Sequence, residues 1–319
     1  MTDRGKLVII LNGVSRKKKK FYQQILPGLS EKYTVEVWET KHRDHAIELG
    51  RAAVLQNPIG ILAAGGDGTL NQVLNGIMWP PTPCLSGRQA EEGLVGRPPI
   101  GVIPLGTGND FARLGKVLST AESILEKIAH GGKLTDVGKV NCLNEMGEKT
   151  FRYFINVASL GMGPDVVRRL FKSDRSLGPT LTYFKAITQT FFSHRPEAVE
   201  VTTDQWTWHG KLRVLAIANG QSFGSAMYVA PDAQPDDGVF STFLAGEIPL
   251  LKFLWFLQTI KSRKKIKDDL VRYDTCTRMS LASPAEASAE AGWIETEGEL
   301  AGMLPAQIEI MPKAIKFFR

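Results

Sequence analysis

The stretch Gly65-Gly66-Asp67-Gly68-Thr69-Leu70-Asn71 constrains this chain more than any other. The apolar run Ile59-Gly60-Ile61-Leu62-Ala63-Ala64 before it reads as a short buried strand, and after it Leu70, Val73, Leu74 and Ile77 recur at helical spacing. A glycine-rich turn thus joins a strand to a helix N-terminus. Glycines accept positive φ and let backbone approach a ligand closely, while the free N–H groups and dipole of a helix start favour phosphate. A carboxylate in such a turn would repel a bare phosphate, so Asp67 implies a metal ion, or water bound to one, between them. Three glycines in four residues also suit an ordinary tight turn, and the spacing is neither that of a Walker loop nor that of a Rossmann loop.

The surrounding chain narrows the choices. Its 319 residues give room for two domains, each with its own core. With 43% hydrophobic and 23% charged residues the composition is that of an ordinary globular protein. No apolar run approaches the ~18 residues a membrane span needs, and the start MTDRGKLVIILNG lacks the long apolar region of a signal peptide. Cys84, Cys142 and Cys276 are widely spaced, without metal-ligand pairing, which fits free thiols and a cytoplasmic setting. A net charge of +6 favours anionic partners, a nucleotide or acidic lipid before nucleic acid, for which no zinc spacing, RNA-binding signature or helix-turn-helix pattern is present.

Before the glycine turn the chain alternates. Lys6 to Leu11 reads as a buried strand closed by Asn12-Gly13, Arg16 to Lys20 as a basic helix start or a phosphate or membrane contact, and Tyr33 to Trp38 as a second strand. A helix follows from about Asp44, a candidate cap, to Leu55. Strand-helix alternation of this kind builds an open α/β sheet that binds ligands at the carboxyl ends of its strands, where Asn12, Thr40 and the glycine turn all fall. Trp79 to Pro99, with five prolines and three glycines, has loop composition. Ile100 to Pro104 is the next strand, delivering Leu105-Gly106-Thr107-Gly108-Asn109-Asp110-Phe111-Ala112-Arg113. Ser119 and Glu122 form a capping box for a helix ending at Gly131-Gly132. From Leu134 the texture changes to short strands, over Thr150–Ala158, Val199–Thr203, Leu212–Ala218, Val239–Leu244, Arg278–Ala282 and Gln307–Ile310, which suggests an all-β sandwich.

The two glycine motifs together resemble those of the diacylglycerol kinase catalytic family, which includes YegS-like and DgkB-like bacterial lipid kinases and the sphingosine and ceramide kinases. NAD kinases share the first motif, and the second selects the lipid-kinase branch. The resemblance implies an N-terminal open α/β domain of the NAD-kinase and diacylglycerol-kinase type, residues 1–132 with about 313–319 returning to it. A C-terminal β-sandwich would follow over residues 133–312, and the 79–99 segment would be an insertion. It implies that Asn12, Thr40, Gly65, Gly66, Asp67, Gly68, Thr69, Leu70, Asn71 and Thr107 bind ATP, although Gly13-Val14-Ser15 departs from the family's first turn.

In the second domain Asn156 to Gly163 resembles a family segment at the domain junction. A structural magnesium site maps to Asp237 with the carbonyls of Gln234 and Val239. Without the resemblance, Asp236-Asp237-Gly238 is a plain β-turn. Glu297-Gly298-Glu299 matches the family's Asp-Gly-Glu segment with a longer first carboxylate, and Glu299 then takes the role of catalytic base, with Asp110 supporting it. Ile248 to Lys267, apolar and aromatic first and basic afterwards, is either a membrane-surface helix or a helix packed on the sandwich. The expected activity is ATP- and Mg²⁺-dependent phosphorylation of a lipid hydroxyl, such as that of diacylglycerol, by a cytoplasmic enzyme that meets its substrate at a membrane surface. An NAD kinase and a non-catalytic nucleotide or lipid binder of the same fold are the alternatives, and the oligomeric state, a homodimer included, is left open.

Overall fold

The computed structural model describes residues 4–79, 97–173, 178–284 and 292–319. Most of the expected 79–99 insertion lies outside the described residues. The chain divides into two compact units, Met1–Val137 with Met311–Arg319, and Gly138–Ile310.

In the first unit β1 (Lys6–Leu11), β2 (Thr34–Glu39), β3 (Gly60–Gly65) and β4 (Ile100–Pro104) pair in parallel in the order β2-β1-β3-β4. Every residue of β3 and β4 is buried, as their unbroken apolar runs require of strands covered on both faces. After β1, α1 (Lys18–Lys20), a π-helical turn and α2 (Leu26–Lys32) lead to β2, and α3 (His45–Leu55) leads to β3. The glycine turn opens directly into α4 (Asp67–Ile77), and α5 (Asp110–Leu114) and α6 (Ala121–Ala129) follow β4. α3 and α4 approach so closely that a Cβ on Gly76 would lie 2.3 Å from the Ile47 carbonyl oxygen. The chain's last strand returns here, with Phe317 pairing in parallel with Ile100.

Two helix starts differ from the sequence expectation. Asp44 makes no side-chain cap on α3, because at φ 61° it lies in the left-handed region, and only its carbonyl oxygen accepts from Ile47 N. The cap of α6 is Thr120, whose Oγ1 accepts from Ser123 N at 3.3 Å, while Ser119 is occupied by the Lys20 ammonium at 2.6 Å. A hydroxyl one residue later holds the extended backbone that a cap needs.

The second unit is built from antiparallel strands. β5 (Lys133–Leu143) pairs with β6 (Lys149–Phe154), and β7 (Val157–Gly161) begins two residues on. β8 (Glu197–Thr203) and β9 (Thr207–Leu212) form a hairpin, followed by β10 (Val214–Ala218) and β11 (Phe240–Ala245). β12 (Val271–Cys276), β13 (Arg278–Ala282), β14 (Trp293–Thr296) and the long β15 (Glu299–Phe317) complete it. β12-β11-β10-β7-β14-β15 is one continuous path. The expected strand over 150–158 is two strands, because the backbone at Ile155 and Asn156 turns its N–H groups to the Glu297 carboxylate instead of a neighbouring strand.

β10 shows how the period of two makes two cores. Leu215 and Ile217 point into one cluster with Phe154, Phe240 and Ile294, between sheet layers. Ala216 and Ala218 point into another, closed by α7 (Met162–Lys172), α8 (Pro179–Ser193) and α9 (Leu250–Lys261). Among the described residues the sandwich therefore carries three helices, two of which the strand-like reading of this region did not foresee. α9 ends at Lys261, so the basic residues 263–267 lie beyond the helix, where Arg263 takes a φ of 59°.

Candidate nucleotide and catalytic site

In the first unit, two glycine turns lie one over the other at the ends of β3 and β4. Leu105 N and Gly106 N both donate to the Gly65 carbonyl oxygen, at 2.9 and 3.0 Å. A Cβ on Gly106 would come within 2.3 Å of Gly66 Cα, and one on Gly65 within 2.3 Å of Thr69 Oγ1. Contact, not positive φ, is what demands glycine: Gly66 has an ordinary φ of −101°. Leu70 and Asn71 are buried on α4, Gly68 is half-buried in its first turn, and Thr107 is exposed in the second turn.

The other strand ends join the same place. Asn12 Nδ2 donates to Thr69 Oγ1 at 3.2 Å, and Gly13 N donates to Thr40 Oγ1 at 3.0 Å. Lys17, in the cationic run, donates through Nζ to the Gly106 carbonyl oxygen at 3.2 Å, whereas Lys18 pairs with Glu39 at 2.6 Å. One member of that run thus stands at the glycine turns, a placement its sequence could not separate from its neighbours'.

Asp67 and Asp110 open α4 and α5. Asp67 Oδ1 accepts from Phe111 N at 3.2 Å, and Asp110 is almost fully buried against Arg113, 2.7 Å away, which also donates to the Gly108 carbonyl oxygen. Burial, and secondarily the Asp110 carboxylate, push the Asp67 carboxyl up to about 6. Two crowded carboxyls beside backbone N–H groups fit a divalent cation, which would relieve their repulsion.

In the second unit the β14–β15 hairpin turns through Glu297 and Gly298, both at positive φ, as a tight two-residue turn requires. Glu297 Oε1 accepts from Ile155 N and Asn156 N at 2.6 Å each, so this carboxylate holds the β6–β7 break in place. Asn156 donates to the Ser222 carbonyl oxygen and Asn219 to that of Ile155. Glu299 begins β15, half-buried, opposite Thr296. Glu295, which motif matching passes over, is wholly buried, accepting from the Ser159 hydroxyl and from Gly298 N. Burial pushes its carboxyl up to about 7 against those two hydrogen bonds. Its even spacing from Glu297 and Glu299 was the available signal.

A cavity of about 80 Å³ lies beneath the helices, lined by Met162, Val166, Ile187, Phe243, Phe253 and Phe256 among others. Gly163 also lines it, and a Cβ there would fall 2.1 Å from Ser159 Oγ, so the Ser159–Glu295 pair stands directly behind the wall. At 234–239, Asp237 Oδ1 accepts from Val239 N at 3.2 Å, with Gly238 at φ 78°, an Asx turn with one carboxylate. Among the described residues the grouping of three ligand-type side chains is elsewhere, at His42, His45 and Glu48. There Lys41 N donates to His45 Nδ1 and His42 Nδ1 faces the Arg43 carbonyl oxygen, so neutral His45 keeps its proton on Nε2 and offers no second lone pair.

Comparison with known proteins agrees with the fold of both units. Residues 6–140 match the diacylglycerol kinase catalytic domain, and residues 157–319 match the YegS C-terminal NAD kinase beta sandwich-like domain. A protein named diacylglycerol kinase from Bacillus subtilis is 27% identical over 307 residues, covering 94% of this chain and 91% of its own length. One of the same name from Staphylococcus carnosus is 29% identical, with the same coverage. A solved structure of a candidate diacylglycerol kinase from Bacillus anthracis matches the fold with a TM-score of 0.74 at 20% identity, covering 100% of this chain and 98% of that one. The chain belongs to the family that joins a diacylglycerol kinase catalytic domain to a YegS-type β-sandwich domain, the YegS/DgkB kind of lipid kinase.

Proposed function

We propose that this protein transfers the γ-phosphoryl group of ATP to the hydroxyl of a diacylglycerol-type lipid. The observation that carries the reading is the Asp67–Asp110 pair beneath two stacked glycine turns: a site that only bound a polyanion would gain nothing from two crowded carboxylates. Asn12, Thr40, Gly65 to Asn71, Thr107 and Lys17 hold the nucleotide, with backbone N–H groups and one ammonium toward its phosphates. Mg²⁺, when bound at Asp67 and Asp110, supplies charge neutralisation for the transfer. Glu299 takes the proton of the lipid hydroxyl, and Asp110, beside Asp67, is the second catalytic carboxylate. Glu297 positions the backbone at Ile155 and Asn156. Asp237, with the carbonyls of Gln234 and Val239, holds a structural cation. The apolar cavity accepts the beginning of an acyl chain.

The test is to incubate the protein with ATP labelled in its γ-phosphoryl group, offering a total lipid extract in one reaction and NAD in another. Label in a chloroform-soluble phospholipid is the expected result. Label in NADP would show an NAD kinase, and label in neither would show a binder without activity.

A further inference from the structure

Side chains alternate faces along β7 and β14. Leu160 and Ile294 enter the core between the sheet layers, so Ser159 and Glu295, directly opposite one another, lie on the helix-facing side. That side carries Val157, Ala216 and Ala218, and a Cβ on Gly163 of α7 would fall 2.1 Å from Ser159 Oγ and 3.6 Å from Glu295 Oε1. Apolar surroundings this close favour a leucine, because a buried carboxyl exchanges its hydration for two hydrogen bonds. What a fully bonded, buried polar pair does supply is rigidity.

The part held rigid is the hairpin turn. Glu295 Oε2 accepts from Gly298 N at 2.8 Å while Oε1 accepts from the Ser159 hydroxyl, so one side chain ties the residue before Glu299 to β7. A bulge sets it there: Ile294 lies opposite Gly302 but Glu295 opposite Leu300, which leaves Ala301 as the extra residue of β15. Glu297 is anchored as well, its N–H donating to the Val157 carbonyl oxygen at 3.1 Å and its carboxylate accepting from Ile155 N and Asn156 N. Both residues of the turn are thus held from outside it, and Glu299 begins β15 directly after them. We propose that Glu295 is a positioning residue for Glu299: steadied by Ser159, it holds the Gly298 backbone and so fixes where the next side chain stands. That role rests on the reading of Glu299 as the base for the lipid hydroxyl. Glu295 itself passes no proton to the substrate. Its two bonds need an acceptor toward Gly298 and a partner for the Ser159 hydroxyl, and a glutamine also provides both.

The test is a double-mutant comparison of turnover with ATP and dispersed dioctanoylglycerol. Glu295→Leu should lower kcat by about 10²-fold, the scale of a misplacement of about 1 Å, with the KM of either substrate kept. Glu295→Gln should recover most of the lost turnover. Added to Glu299→Gln, Glu295→Leu should cost almost nothing further, because a residue that acts through Glu299 then has nothing left to position. A merely structural residue would lower turnover equally in both backgrounds. Melting curves establish that each variant folds. Should Glu295→Leu fail to fold, Ser159→Ala takes its place, with a smaller loss that should likewise vanish beside Glu299→Gln. A Glu295→Leu enzyme as fast as wild type, a Glu295→Gln enzyme as slow as Glu295→Leu, or a loss undiminished in the Glu299→Gln background overturns the positioning role and leaves the kinase reading standing. A wild type that phosphorylates no lipid, or full turnover by Glu299→Gln, overturns that reading and the positioning role with it.

Discussion

Asp67 serves two demands that oppose each other in the ligand-free protein. As the first residue of α4 it places a carboxylate at a helix N-terminus, which is favourable, yet it is held down beside Asp110, which is not. Its carboxyl moves from an ordinary value near 3.8 up to about 6. Between those two values the folded state holds the proton more tightly than the unfolded chain, so this contribution to stability is complete below about 4 and is lost as pH rises through about 6. Asp67→Asn keeps an oxygen for Phe111 N and removes the charge. Without magnesium the variant should therefore melt higher than wild type at pH 7 and no higher at pH 4, while binding Mg·ATP more weakly. Equal melting temperatures across that range would show that the crowding is relieved some other way. The sequence singled out Asp67 for a cation because a carboxylate in a glycine-rich turn at a helix start would repel a bare phosphate. The positive φ expected of the glycines is not what Gly65 and Gly106 need: contacts with Thr69 and Gly66 require them, and such contacts exist only once both strands are in place.

At the scale of elements, the parallel strands were the most readable part, since strands buried on both faces spell themselves as unbroken apolar runs. The helices of the second unit were harder. α8 is rich in threonine and aromatic residues, with apolar side chains on its inner and outer faces, so its composition resembles a strand and its periodicity is blurred. Helix starts slipped by a residue or two where neighbouring hydroxyls and carboxylates compete for the cap, as at Ser119 and Thr120. The 234–239 turn shows a limit of another kind. An Asx turn at Asp237 looks the same in sequence whether or not a cation sits on it, and the hydrogen bond to Val239 N serves either case. If the turn holds a structural cation, chelation by EDTA should lower the wild-type melting temperature by mass action and leave Asp237→Ala unmoved. An equal response of both proteins to EDTA would reduce Asp237 to a turn residue.

For the whole molecule, the two units divide the work. The residues proposed to bind nucleotide belong to the first, while the second carries Glu299, the buried Ser159–Glu295 pair and the apolar cavity. Matching the motifs singled out Asp67 and Asp110 in the first unit and Glu299 before Glu297 in the second, and passed over Glu295, because what sets Glu295 apart lies in its surroundings. Glu297 accepts from two backbone N–H groups on Oε1, Glu295 is buried on a hydroxyl, and Glu299 stands half-buried at the start of a strand. Among the described residues no helix is long and apolar enough to cross a membrane, and the lipid reading rests on the family and the apolar cavity. The central claim, that this molecule phosphorylates a lipid hydroxyl with Glu299 as its base, meets its most direct test in one side-by-side measurement. Turnover of diacylglycerol with ATP is followed for the wild type and for Glu299→Gln, with ATP affinity determined for both. The wild type should form phosphatidic acid, and the variant should be slower by about 10²–10⁴-fold in kcat with unchanged ATP affinity, the usual loss for a missing general base. A wild type that makes no phosphatidic acid, or a Glu299→Gln variant that makes it at nearly the wild-type rate, would contradict the claim.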